Sequence, residues 1–322
     1  MGQAIVTEGL ERSFNETRAV AGVDLAVPDG EIYGFLGPNG AGKSTMVRML
    51  CTLLVPSAGS AHVAGYDVVN QSQDVRLRIG VALQDASLDP NQSGVELLRL
   101  QGRLYGLGRD QIERQLHELA ALVDIGDALE RRVKTYSGGM KRRLDLAIAL
   151  IHNPVVLFLD EPTTGLDPVS RARVWEEVRR LNDAGKTIFL TTQYLEEADS
   201  LAHRVGIIDR GRLIAEGTPD ELKRSLGSDV VVAEVGPDAA RACAQLEHLP
   251  GVTRVEQHGE ELTILTPDAP ALLSPIAVAL DECGVKVRSL TMRRPTLDDV
   301  YLRITGGHLG SDSSDTDERE SQ

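Results

Sequence analysis

The stretch Gly37-Pro38-Asn39-Gly40-Ala41-Gly42-Lys43-Ser44-Thr45 decides the reading of this chain. Ile32, Phe35 and Leu36 precede it with the character of a buried strand, and Met46, Val47, Met49 and Leu50 follow with one face of a helix. Between strand and helix, the spacing G-x-x-x-x-G-K-S is that of a phosphate-binding P-loop. Gly37, Gly40 and Gly42 let the backbone curl until successive N–H groups point inward at phosphate oxygens. The helix starting near Lys43 aims its positive dipole end at the same anion. Lys43 reaches the β- and γ-phosphates, and the Ser44 hydroxyl is a ligand for Mg²⁺. The alternative is a glycine-rich turn that binds nothing, and the strand before and the helix after argue against it.

Composition sets the frame. The 322 residues are 42% hydrophobic and 25% charged, which suits one large globular domain or two smaller ones. No run approaches the roughly 18 to 20 apolar residues of a membrane span. The N-terminus lacks the charged start and apolar centre of a signal peptide, so a cytoplasmic protein is expected. Cys51, Cys243 and Cys283 lack metal-ligand spacing and read as small buried apolar residues. A net charge of −14 argues against broad nucleic-acid binding, which needs a basic footprint.

Working outward, Ile5-Val6 and the alternation of Val20, Val23, Leu25 and Val27 predict two strands. Phe14 lies in a polar loop between them. Spacing alone places it in the core, with stacking on an adenine ring as the alternative. His62, Val63 and Gly65 begin another β segment. Arg78 to Gln84 is a short apolar strand ending in an amide, which either bonds locally or faces a metal at the carboxyl edge of a sheet.

From residue 93 to 150 the apolar spacing becomes helical, an insertion in an otherwise α/β pattern. It ends in Tyr136-Ser137-Gly138-Gly139-Met140. Ser137 caps the next helix, and Gly138 and Gly139 leave N–H groups bare, a second anion-accepting helix end or simply a capped helix. Asn153-Pro154 breaks that helix, and Val155 to Leu159 runs as a buried strand into Asp160-Glu161. Two carboxylates at the end of such a strand are costly unless they are solvated or meet a cation. In a P-loop fold that cation is the nucleotide's Mg²⁺. Asp160 is then the metal-side carboxylate, and Glu161, pointing the other way, orients and deprotonates the attacking water. Asp167 alone reads as a helix N-cap. Strands Thr187 to Thr191 and Val205 to Ile208 alternate with helices Ser170 to Leu181 and Leu195 to Leu201, which predicts a largely parallel sheet.

The resulting organisation is a domain over 1–226 with the helical insertion at about 88–150, then a small α+β domain over 229–305. The βαββαβ order of the latter matches a ferredoxin-like sandwich. Residues 306–322 form an acidic tail expected to be disordered.

The order and spacing of these motifs resemble the ATP-binding cassette (ABC) ATPases over about residues 4 to 226. The resemblance implies an α/β P-loop NTPase with a helical subdomain, binding and hydrolysing ATP with Mg²⁺. By it, Gly37 to Thr45 is Walker A, Gln84 the Q-loop, Ser137-Gly138-Gly139 the signature, Asp160 the Walker B aspartate, Glu161 the catalytic glutamate and Asp167 the D-loop aspartate. Phe14 falls at the adenine-stacking aromatic. Gly34 to Gly40, the ending Pro295-Thr296-Leu297-Asp298-Asp299-Val300-Tyr301-Leu302 and the C-terminal unit resemble the daunorubicin/doxorubicin-resistance exporter branch. There the ATPase is a separate polypeptide on the cytoplasmic face of the membrane, docked on an ABC-2-type permease as a homodimer, without nucleic acid. A hydrophobic drug or a lipid would be the cargo. Two departures stand out: Met140 where the signature usually has Gln, and Gln193 where most members have the switch histidine. A Gln amide bonds a γ-phosphate oxygen but carries no charge. The competing readings are a soluble ABC ATPase on ribosomes or nucleic acid, and a GTPase, for which no Asn-Lys-x-Asp motif is present.

Overall fold

The computed structural model describes residues 2–83, 88–122, 126–226, 229–293 and 295–305, so Gln84 and the 306–322 tail lie outside the described residues. Two compact units divide near Pro219 and Asp220.

The first unit is built on a six-stranded sheet in the order Arg212–Gly217, Arg204–Asp209, Ile32–Leu36, Thr187–Thr192, Val156–Asp160, Ile79–Ala82. Neighbouring strands run parallel except for the Arg212–Gly217 edge. That edge is turned back by Arg210 and Gly211, both left-handed (φ 47° and 77°), the backbone a two-residue hairpin turn needs. The three central strands are buried along their whole length, as expected of a sheet covered on both faces.

Period-2 alternation divides two cores between those faces. Tyr33, Phe35, Phe158 and Phe189 point to one face, with Phe189 at the centre of a ring cluster at 5.5 to 5.7 Å. The P-loop helix Lys43–Leu50 packs there through Met46, Val47, Met49 and Leu50. A second sheet, four-stranded and antiparallel, joins that core. It is formed by Gln3–Phe14, Thr17–Pro28, Ala58–Val63 and Tyr66–Asp67. The alternation of single strands gave no sign that these residues form a sheet of their own. Ile32, Leu157, Leu159, Ile188 and Leu190 point the other way, into a core shared with Gly94–Leu104, Arg109–Leu122, Gly138–Leu150 and Pro168–Asp183. The helix Ser72–Arg78 was not legible as a separate element, because only Val75 is buried on it.

The second unit carries the antiparallel sheet Arg254–His258, Glu261–Thr266, Asp229–Glu234, Ser289–Arg293. With helices Ala239–Leu246 and Ala269–Glu282 between the strands, this is the order of a ferredoxin-like sandwich. The Pro295–Leu302 motif acts as a staple in this unit. Asp299 accepts both guanidinium nitrogens of Arg293 at 2.5 and 2.9 Å, and the Thr296 N–H and hydroxyl at 2.7 and 2.9 Å. Burial raises this carboxyl's pKa, but the bonds from Arg293 and Thr296 outweigh it and hold the group below its usual range. Its stabilisation is therefore present at neutral pH and lost as pH falls through the depressed folded-state pKa. Replacing Asp299 by Ala removes the two Arg293 bonds and the two Thr296 bonds together and should destabilise this unit by about 2 kcal/mol at pH 7. The loss should shrink toward acid pH, read by urea denaturation across pH.

Candidate active site

Register brings the motifs together. Leu36 pairs with Thr192 and Asp160 with Thr191, so three adjacent strands end at one level. The P-loop leaves the first, the Asp160-Glu161 pair the second, and Thr192-Gln193-Tyr194 the third. Glycine is required in the loop by close contact: a Cβ on Gly42 (φ 110°) would lie 2.3 Å from the Ala19 carbonyl, and one on Gly37 2.4 Å from that of Ile208. Pro38, Asn39, Gly40, Gly42, Lys43, Ser44 and Thr45 line an open cleft together with Ala19 and Glu161. Ala41 is turned into the core and ties the loop by bonds from its N–H to Pro38 and from Gly211 to its carbonyl.

Lys43 is almost fully buried. It donates to the Gly37 and Pro38 carbonyls at 2.7 and 3.0 Å and lies 3.4 Å from the Glu161 carboxylate. Burial lowers its pKa, and the Glu161 charge opposes that. Glu161 does not continue the strand with its side chain reversed, as alternation suggested. It has left-handed backbone (φ 48°), its N–H donates to both Thr191 oxygens, and its carboxylate accepts from the Thr164 hydroxyl at 3.2 Å. Ser44 Oγ donates to Asp160 Oδ1 at 3.4 Å, and the Thr191 hydroxyl donates to the same oxygen. A hydroxyl and a carboxylate held together beside a phosphate loop are hard oxygen donors and fit Mg²⁺.

Other predicted residues stand apart from this cleft. Phe14 is the last residue of its strand and 44% exposed, so the core placement is corrected. Arg12 lies over its ring at 4.6 Å. Gln193 follows the third strand and is half-buried. Ser137 caps the helix Gly138–Leu150 by accepting from Met140 N–H at 3.2 Å, and it and Gly138 are exposed. None of Ser137 to Gly139 is among the residues lining the P-loop cleft. Asp167 caps Pro168–Asp183, accepting from the Ser170 hydroxyl and N–H at 2.6 and 2.9 Å, which hold its carboxyl below the usual range.

Three residues were missed. Thr191 is the hydroxyl that joins Asp160 to Glu161. Glu197, fully buried, accepts from Trp175 Nε1 at 3.0 Å, and burial raises its pKa. Arg142 reaches across from the helix after the signature to the carbonyls of Leu83, Asp160 and Pro162. Charged residues inside a buried-looking helix or strand run were the available signal.

A family model described as ABC transporter matches residues 20–164, and one described as ATP-binding protein DrrA1-3-like, C-terminal domain, matches 217–305. Daunorubicin resistance ATP-binding protein DrrA3 of Streptomyces coeruleorubidus is 49% identical over 306 residues, 94% of this chain and 96% of that one. Daunorubicin/doxorubicin resistance ATP-binding protein DrrA of Streptomyces peucetius is 47% identical over 322 residues, 99% and 97% of the two chains. The chain belongs to the drug-resistance branch of the ABC transporter ATP-binding proteins. Its activity is ATP hydrolysis. A solved dimer of the ATP-binding cassette MJ0796 in a post-hydrolysis state with ADP and Pi shares the fold, with a TM-score of 0.60 over 66% of this chain and 98% of that one at 22% identity.

The ABC ATPase site has a buried ion pair beneath it. Asp145 meets Arg142 at 3.2 Å, and burial, opposed by Arg142, raises its pKa to about 6. A raised folded-state pKa contributes stability below about pH 4 that is lost as pH rises to about 6. Relative to wild type, Asp145→Asn should therefore gain stability, by on the order of 2 kcal/mol, as pH rises from 4 to 7. Thermal denaturation of both proteins across that range checks the sign.

Proposed function

We propose that this chain is the ATP-hydrolysing subunit of an exporter. It would energise efflux of a hydrophobic drug or lipid through a separate ABC-2-type membrane permease, from the cytoplasmic face. Among the described residues no helix is long and apolar enough to cross a membrane, which supports the reading that the cargo path lies in another polypeptide. The relatives named for daunorubicin resistance match along nearly the whole chain, including the C-terminal unit, and this favours export over a role on ribosomes or nucleic acid.

Two copies would form two composite sites, each with the P-loop of one and Ser137 to Gly139 of the other. The observation that carries this is the exposed signature cap, which stands outside the P-loop cleft of its own chain. Phe14 stacks the adenine, and Lys43 with the loop N–H groups holds the phosphates. Ser44, Asp160 and Gln84 would hold Mg²⁺, which supplies charge neutralisation at the β- and γ-phosphates. A γ-phosphate at Lys43 replaces its contact with Glu161, and the carboxylate oxygen that met Lys43 accepts from the attacking water. Glu161 takes the proton of that water as its oxygen attacks phosphorus. The bond to the β-phosphate oxygen breaks, and ADP and phosphate leave. Gln193 donates its amide N–H to a γ-phosphate oxygen, and Asp167 fixes the helix cap beside the partner's signature.

Glu161→Gln should lower kcat by about 10² or more with nucleotide affinity retained. Phe14→Ala should raise KM for ATP about tenfold with kcat nearly unchanged, since base stacking is worth about 1 to 3 kcal/mol. Steady-state kinetics with MgATP separate the two. Near wild-type turnover of Glu161→Gln would overturn the assignment of the base.

A further inference from the structure

Arg142 lies one helical turn into Gly138–Leu150, the helix that Ser137 caps. Its side chain is 11% exposed. The guanidinium donates to five acceptors. On one side these are the Asp160 carbonyl at 3.1 Å and the Pro162 carbonyl at 3.0 Å. On the other they are the carbonyls of Leu83 at 2.5 Å and Ala82 at 3.5 Å. Asp145 accepts the remaining bond at 3.2 Å. The first pair brackets Glu161, whose left-handed backbone at φ 48° needs such fixing. The second pair lies at the end of the strand that leads to Gln84. A fork with five donors in a plane suits this task, and a lysine could not span both sides.

We propose that Arg142 is a positioning residue that couples the two composite sites of the dimer. In its own chain it fixes the backbone on either side of Glu161. It rides on the helix whose N-terminus, Ser137 to Gly139, closes over the partner's nucleotide. Movement of the signature against one ATP is thereby transmitted to the water-activating carboxylate of the other. Four of the five acceptors are backbone carbonyls, so the link to the two loops does not depend on which side chains they carry. This inference rests on the composite-site reading above.

Complementation tests both separately. Lys43→Ala chains alone and Ser137→Arg chains alone should be inactive. Mixed full-length chains should regain hydrolysis, because the heterodimer keeps one intact site: Lys43 and Glu161 from the Ser137→Arg chain, the signature from the Lys43→Ala chain. Failure of the mixture, with both proteins folded, would overturn the composite-site reading, and the coupling with it. Given complementation, the coupling is read on dimers with both sites intact. The Hill coefficient for MgATP hydrolysis should exceed 1 in the wild-type dimer and fall to about 1 in Arg142→Met. An unchanged Hill coefficient in Arg142→Met with only kcat lowered would make Arg142 a local brace and overturn the coupling. So would a coefficient of about 1 in the wild type. Should Arg142→Met melt below assay temperature, Arg142→Lys, which keeps the charge and loses the fork, carries the same arms.

Discussion

The Thr191 hydroxyl donates to the Asp160 carboxylate, while the same oxygen accepts from the Glu161 N–H. These bonds are possible because Val156–Asp160 and Thr187–Thr192 run parallel in a register that ends both at one level. The P-loop strand, paired on the other side of Thr187–Thr192, ends there too. Everything chemical in the first unit follows from that alignment. Three loops leave one sheet edge, so a phosphate loop at 37–45, two carboxylates at 160–161 and an amide at 193 leave the sheet at one level although the three segments lie far apart in sequence. This is the crevice at the carboxyl ends of parallel strands where α/β folds bind ligands.

The alignment is held from both faces. Beneath the P-loop helix, the rings of Tyr33, Phe35, Phe158 and Phe189 fix the spacing of three strands through offset contacts. On the opposite face aliphatic side chains of the same strands pack on the helices that carry the signature and Asp167. The sheet is thus the rigid body. The signature helix is tied to it by Arg142 through backbone acceptors, a polar contact with direction, whereas the aliphatic packing around it has none.

Much of this was legible in the sequence, for identifiable reasons. The P-loop spacing, the run Val156 to Asp160 and the helix Leu195–Leu201 carry strong local signals: obligatory glycines, continuous burial, clean periodicity. The βαββαβ order of the second unit was readable because its strands and helices are separate short apolar runs divided by polar turns. What could not be read was tertiary. Phe14 looks apolar and is exposed, since stacking and packing ask for the same residue type. The reversal of backbone at Glu161 is imposed by Thr191, thirty positions away. Arg142 reads as one of three consecutive basic residues on a helix, and only the fold turns it inward.

The account stands on the claim that Gly37 to Thr45 is half of a site. Light scattering with bound-nucleotide counting on the Glu161→Gln chain tests it most directly, because slowed hydrolysis holds the nucleotide in place. The account predicts a dimer with two ATP in MgATP, and a monomer when Ser137→Arg is added to the same chain. A monomer carrying ATP with Ser137 intact, or a dimer indifferent to Ser137→Arg, would contradict it.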